Sequence, residues 1–208
     1  MKNSKLNLGG GQHWKKSGWD NLDLAFGYDI NKELLENYED QSISIIYTSH
    51  TIEHLHWNIV DRIFKEFKRV IKPDGILRIV VPDCDILSNI LNNNRRDILE
   101  KDNSFYYNEG LGKNYNTKEI VLELFGYDIN GWRFLDNTMH VSFFNFSILN
   151  IMLKASGFEN INRCNYASSS LAELRETQMM DPNTGIIDSS VGFDNPATKS
   201  ISIYIECS

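Results

Sequence analysis

The apolar positions of this chain follow two rhythms. Leu6 and Leu8 open a short buried strand in "KLNL", and three glycines follow at Gly9, Gly10 and Gly11. A second short apolar segment, "NLDL", carries an acid at Asp23. "ISIIYT" (43–48) is apolar and rich in β-branched residues, which predicts a buried strand. In "WNIVDRIFKEFKRVI" (57–71) the residues Ile59, Val60, Ile63, Phe64, Phe67, Val70 and Ile71 recur at helical spacing, the mark of an amphipathic helix. "KPDG" (72–75) is expected to end that helix, because Pro73 cannot continue it and Gly75 permits a tight turn. "ILRIVVP" (76–82) then reads as a further buried strand. Strand–helix–strand at this spacing is a parallel crossover unit, so the fold class is α/β.

From 83 to 139 the rhythm weakens. The stretch is rich in Asn, Asp and Tyr, with "NNNRR" and "FYYNEG", and holds one helical piece, "TKEIVLELFG" (117–126). It reads as an insertion within a single domain spanning 1–208. "NFSILNIMLKASGF" (145–158) returns to a helix, capped by Asn145 or Ser147 and ended by Gly157. A strand is expected in "ENINRCNY" (159–166). After a polar excursion (167–199), "SISIYIEC" (200–207) alternates as a half-buried last strand should.

Composition narrows the partners. A length of 208 residues supports one domain with a substantial core, and 41% hydrophobic and 12% aromatic residues are ordinary for a globular chain. A net charge of −7 argues against a surface built for nucleic-acid backbone, though not against a nucleotide-like small ligand. Cys84, Cys164 and Cys207 are odd in number and far apart, which points to a reducing compartment. "MKNSKLNLGGG" lacks the apolar core of a signal peptide, and no run approaches the roughly 18 apolar residues of a membrane span. A cytoplasmic protein without a membrane span or nucleic-acid partner is the expectation.

Glycines after a first strand let backbone approach a ligand closely. Open parallel sheets bind ligands at the carboxyl ends of their strands, where an acid ending the neighbouring strand can accept from ribose hydroxyls. Asp23 is placed for that role, so the opening stretch reads as half of a nucleoside pocket; a tight turn between two strands is the alternative. The dinucleotide fingerprint fails at its third position, where Trp14 stands instead of glycine, and no phosphate-binding G-x-x-x-x-G-K-[ST] occurs.

"LNLGGG...SGWDNLDL", "SISIIYTSHTIEHL", "IFKEFKRVIKPDGILRIVVPD" and "ILNIMLKASGF", in this order, resemble the S-adenosylmethionine-dependent class I methyltransferases, in particular the small bacterial type 11-like group. The likeness covers residues 5–82 and, more loosely, 140–207. It implies a Rossmann-like three-layer sandwich, mostly parallel with an antiparallel last strand. It implies S-adenosylmethionine as cofactor and methyl transfer to an O or N acceptor on a small molecule or a sugar or lipid precursor. The resemblance assigns Leu8, Gly9, Gly10 and Gly11 to the amino-acid part of the cofactor and Asp23 to its ribose. Asp29 falls to the adenine side, with a plain turn aspartate as the alternative. Ser49 and His50 fall at the pocket floor. Two features depart from the pattern. Asn7 stands where many members carry an acid, and the segment between Gly11 and Asp23 is too short for the usual full helix. Trp14 or Trp19 then covers the cofactor or packs on the sheet. These departures motivate a rival reading, a non-catalytic S-adenosylmethionine-binding or degenerate partner subunit.

"HTIEH" sets His50, Glu53 and His54 at i, i+3 and i+4, one face of a helix. It formally matches the inverted zincin motif, but the surrounding segments predict a nucleoside fold. Glu53 and His54 read as braces of the loop and His50 as facing the pocket. No metal is assigned, and a divalent cation stays as the alternative. His50 and His140 are the expected catalytic residues on the acceptor side, since imidazole titrates near working pH. The usual helices before the first strand are lacking, so 83–139 and 167–199 must cover the acceptor, or a second subunit in a homodimer must. Tyr106, Tyr107, Trp132 and Arg133 are the insertion residues expected there.

Overall fold

A computed structural model describes residues 3–101, 117–118, 140–180, 187–190 and 192–208. Tyr106, Tyr107, Trp132, Arg133 and most of the helix expected over 117–126 lie outside the described residues. In chain order the strands are β1 (Lys5–Leu8), β2 (Asp20–Leu22), β3 (Ile43–Ser49), β4 (Ile71–Pro82), β5 (Asn162–Cys164), β6 (Met179–Met180), β7 (Ile187–Asp188) and β8 (Ser202–Cys207). The helices are α1 (Trp57–Val70), α2 (Cys84–Asn93), α3 (Arg96–Lys101) and α4 (Phe146–Ala155). Six strands form one sheet in the order β2-β1-β3-β4-β8-β5, and β6 and β7 form a small separate pair. β2, β1, β3 and β4 run parallel, while β8 is antiparallel to both β4 and β5. This is the expected Rossmann-like sheet.

Alternation along the strands splits the core in two. Leu6, Leu8, Ile46, Leu77, Ile79 and Ile205 face α1 and α4, which contribute Val60, Ile63, Phe64, Phe67, Leu149 and Leu153. Ile45, Tyr47, Val80 and Tyr204 face the other way and meet Trp14, Trp19, Leu174 and Phe193. The short β1–β2 connection has no room for a helix, so aromatic rings cover this face instead. The Phe193 ring lies 5.0 Å from Trp19 and 4.8 Å from Tyr47. Trp14 Nε1 donates to the Gly192 carbonyl at 2.7 Å and Trp19 Nε1 to Glu173 at 2.8 Å. Of the two roles open to these tryptophans, both pack on the sheet. Part of the 167–199 excursion is therefore core cover.

Three local expectations change. "KPDG" does not separate helix from strand: Ile71 caps α1 in an already extended conformation, and β4 runs through the motif. The ladder absorbs it by slipping, since Ile43 pairs with Ile71 but Ile45 with Ile76. β8 is buried at all six positions and not half-buried, because it lies between β4 and β5 under cover on both faces. The start of the 83–139 stretch is regular: Asp83 caps α2 by accepting from Asp85 N at 3.0 Å, and Asn94 ends it in a left-handed conformation. Asn145, not Ser147, caps α4, its oxygen accepting from Ile148 N at 2.9 Å. Among the described residues, no helix is long and apolar enough to cross a membrane.

Candidate active site

Parallel pairing brings the ends of β1, β2 and β3 to one edge. β1 delivers the glycines, β2 delivers Asp23, and β3 delivers Ser49 and His50. A cleft of about 250 Å³ opens there. Of the expected residues, Leu8, Gly9, Asp23, Asp29 and His50 line it; Gly10, Gly11, Ser49 and His140 do not. Sequence reasoning left out Tyr28, Thr51 and Leu55, and read His54 as a brace with a divalent cation as the alternative; all four line the cleft. For Thr51 the signal lay in its position directly after the β3 end.

Gly9 and Gly10 answer first to their own chain. Gly9 has φ +75°, and a Cβ there would lie 2.0 Å from Thr51 Oγ1. A Cβ on Gly10 would lie 2.3 Å from Asn7 Nδ2 and 2.5 Å from Asn21 Oδ1. Asn7 is buried beneath this turn, and the side-chain oxygens of Asn7 and Asn21 have no hydrogen-bond partner. Two acceptors thus stand unused under the turn. Asp23 clamps the turn from the other side: Oδ2 accepts from Gly11 N at 2.8 Å and Oδ1 from Ala25 N at 2.9 Å. A carboxylate has acceptor capacity beyond these two bonds. Asp29 is an exposed-rim turn residue, its carboxyl held below the usual range by the Lys32 ammonium at 2.8 Å and by Asn31.

His50 adopts the left-handed φ of 49° that brings its ring back over the β3 end. Its Nε2 lies 3.1 Å from both the Thr198 and Ser202 hydroxyls. Its Nδ1 is 3.2 Å from Glu53 Oε1, within ion-pair distance but off the direction of a hydrogen bond. Glu53 sits in a single turn, Ile52–His54, and is 1% exposed. Burial alone would raise its carboxyl, but His50, His54 and His140 outweigh that and hold it below the ordinary glutamate range. The three side chains of "HTIEH" do not share a helix face, since His50 precedes the turn; they still converge. His140 joins them from the segment entering α4, its ring 4.8 Å from that of His54. Val141 N and Ser142 N donate to the Glu53 carbonyl at 2.8 and 3.0 Å, and Ser142 Oγ to the Leu55 carbonyl at 2.5 Å.

A second cleft, of about 480 Å³, is lined by Trp14, Lys15, Lys16, Ser17, Trp19, Asn21 and Phe26. It is larger, but it has neither the acids nor the imidazoles of the first, and Lys16 is paired with Glu176. The cleft at the strand ends is therefore the chemical one.

Residues 10–163 match the protein family described as Methyltransferase domain. Among solved structures, the chain is similar to a SAM-dependent methyltransferase from Archaeoglobus fulgidus, with 14% identity, 99% of this chain and 86% of that one covered, and a TM-score of 0.50. It is also similar to a SAM-dependent methyltransferase from Thermotoga maritima, with 12% identity, 100% and 82% coverage, and a TM-score of 0.44. No curated protein matches the chain by sequence.

Proposed function

The chain belongs to the S-adenosylmethionine-dependent class I methyltransferases, and on that premise we propose that it methylates an oxygen or nitrogen of a small molecule or of a sugar or lipid precursor. The observation behind this reading is that one cleft joins Gly9 and Asp23 to His50 and His54. Asp23 accepts from the ribose hydroxyls of the cofactor with the capacity left over from its two backbone bonds. Gly9, with Leu8 beside it, takes the amino-acid part of the cofactor. Asp29 takes the adenine side. Bound there, S-adenosylmethionine supplies an electrophilic methyl group: the acceptor lone pair forms the new bond to carbon as the carbon–sulfur bond breaks, and that electron pair leaves with S-adenosylhomocysteine.

His50 takes the acceptor proton and passes it to solvent. The Thr198 and Ser202 hydroxyls orient the ring, and His140 completes the acceptor side. Cover for the acceptor comes from within a single domain or from a second copy in a homodimer. The net charge of −7 sets nucleic acid aside, and the unpaired Cys84, Cys164 and Cys207 suit the cytoplasm. The non-catalytic reading rests on Asn7 and the short β1–β2 connection alone, and the family match does not favour it.

His50→Ala tests the assignment. S-adenosylhomocysteine affinity should stay within a few-fold, while turnover on an acceptor found by screening falls about 10²–10⁴-fold if His50 is the base. A loss of roughly tenfold or less would make His50 a positioning residue, and unchanged turnover would remove it from the site.

A further inference from the structure

Glu53 is buried directly behind the cleft residues His50 and His54, and its carboxylate is unsatisfied. Its side chain is 2% exposed, and neither carboxylate oxygen has a hydrogen-bond partner. A buried carboxylate in that state is strongly disfavoured unless a cation compensates it. His54 and His140 each offer a ring nitrogen, and with a Glu53 oxygen these atoms all lie within 4.8 Å of one another. We propose that Glu53, His54 and His140 form a binding site for one divalent transition-metal ion of the Zn²⁺ type.

The donor set selects the ion. Two imidazoles and one carboxylate suit Zn²⁺, Mn²⁺ or Fe²⁺, whereas Mg²⁺ and Ca²⁺ want oxygen shells. An ion with bonds of about 2.0–2.2 Å holds tetrahedral ligand atoms about 3.4 Å apart, so small side-chain rotations close the set. The scaffold is already built. The segment that carries His140 is tied to the Ile52–Leu55 turn by three hydrogen bonds, from Val141 N, Ser142 N and Ser142 Oγ. His50 Nδ1, 3.2 Å from Glu53 Oε1, stands as the outer partner that orients the carboxylate.

Three protein ligands leave a coordination position open. His54 lines the same cleft as Gly9 and Asp23, so the ion borders the acceptor end. An ion held there by Glu53, His54 and His140 would lower the pKa of an acceptor hydroxyl, with His50 beside it to take the proton. The site favours oxygen over nitrogen acceptors. This consequence rests on the methyl-transfer reading; the ion site itself does not.

The test is calorimetric titration of the full chain with Zn²⁺ after chelator dialysis, with metal content measured on the recovered protein. About one equivalent should bind, with micromolar or tighter affinity. Glu53→Gln and His140→Ala should each weaken it at least tenfold, and a Cys84→Ser, Cys164→Ser variant should bind as the wild type does. Co²⁺ substitution should give visible bands without a sulfur charge-transfer band. If Glu53→Gln fails to fold, His140→Ala and the Co²⁺ spectrum decide alone. No saturable binding, equal affinity in the variants, or binding lost with the cysteines would overturn the proposal. S-adenosylhomocysteine titrated into the metal-free chain separates the two ideas: Zn²⁺ without it sinks the methyl-transfer reading, and it without Zn²⁺ sinks the ion site.

Discussion

At Gly9 the chain is squeezed by its own neighbour: a Cβ would collide with Thr51 Oγ1, and φ is already +75°. Gly9→Ala should destabilise the fold by roughly 1–3 kcal/mol from backbone strain, plus the steric part. Combining it with Thr51→Ala should recover only the steric part, and urea unfolding of the two single variants and the double one measures it. Strict additivity would mean that the two residues do not press on each other. Because Gly9 cannot be changed without this cost, it is a poor probe of ligand contact. Asp23 is the better one. Asp23→Ala should weaken S-adenosylhomocysteine binding about tenfold or more, since a charge-assisted acceptor is worth about 1.5–3 kcal/mol. Asp23→Asn keeps an oxygen for Ala25 N and separates the loss of charge from the loss of the cap. Equal calorimetric affinity in both folded variants would remove Asp23 from the pocket.

The elements were largely legible because their apolar periods are strong. The stripe from Ile59 to Val70 gave α1 to within a residue, and "ISIIYT" gave β3. What failed was local competition. Pro73 marks a break in any propensity argument, yet strand pairing to Ile43 begins at Ile71 and carries the motif into β4. The strand in 159–166 shrank to three residues because pairing with β8 covers only Asn162–Cys164. At the site, Asp23 and His50 were readable from their places at strand ends. The approach of His140 to Glu53 was not, since only the tertiary bonds from Val141 and Ser142 create it. Capping at α4 was readable and is testable: Asn145→Ala should cost about 1 kcal/mol by removing the acceptor for Ile148 N, measured by chemical denaturation. No change would mean that packing of Leu149 and Leu153 holds the helix start unaided.

Across the whole molecule, the sheet face covered by Trp14, Trp19 and Phe193 depends on a buried ionic group. Arg78, fully buried, binds Asp194 at 2.6 Å and Glu206 at 3.0 Å, so it ties the loop carrying Phe193 to β4 and β8. Arg78→Met should destabilise by about 3–5 kcal/mol, because it strands two buried carboxylates. Acid should loosen the same contact. Burial raises the Glu206 carboxyl, but Ser169, Ser170 and Arg78 outweigh it and hold it below the ordinary 4.5. The folded state then binds fewer protons than the unfolded one, so this stability is complete above about pH 4.5 and is lost as pH falls through the lower folded value. Asp83, raised by burial, acts against it. Glu206→Gln should flatten the acid limb of a stability–pH curve; an unchanged limb would assign it to other groups. The central proposal is that the edge formed by β1, β2 and β3 is a cofactor pocket. Titrating S-adenosylhomocysteine into the full chain in a calorimeter tests it most directly. The account predicts saturable binding of one equivalent per chain, weakened about tenfold or more by Asp23→Ala; a folded wild-type chain that takes up no S-adenosylhomocysteine would contradict it.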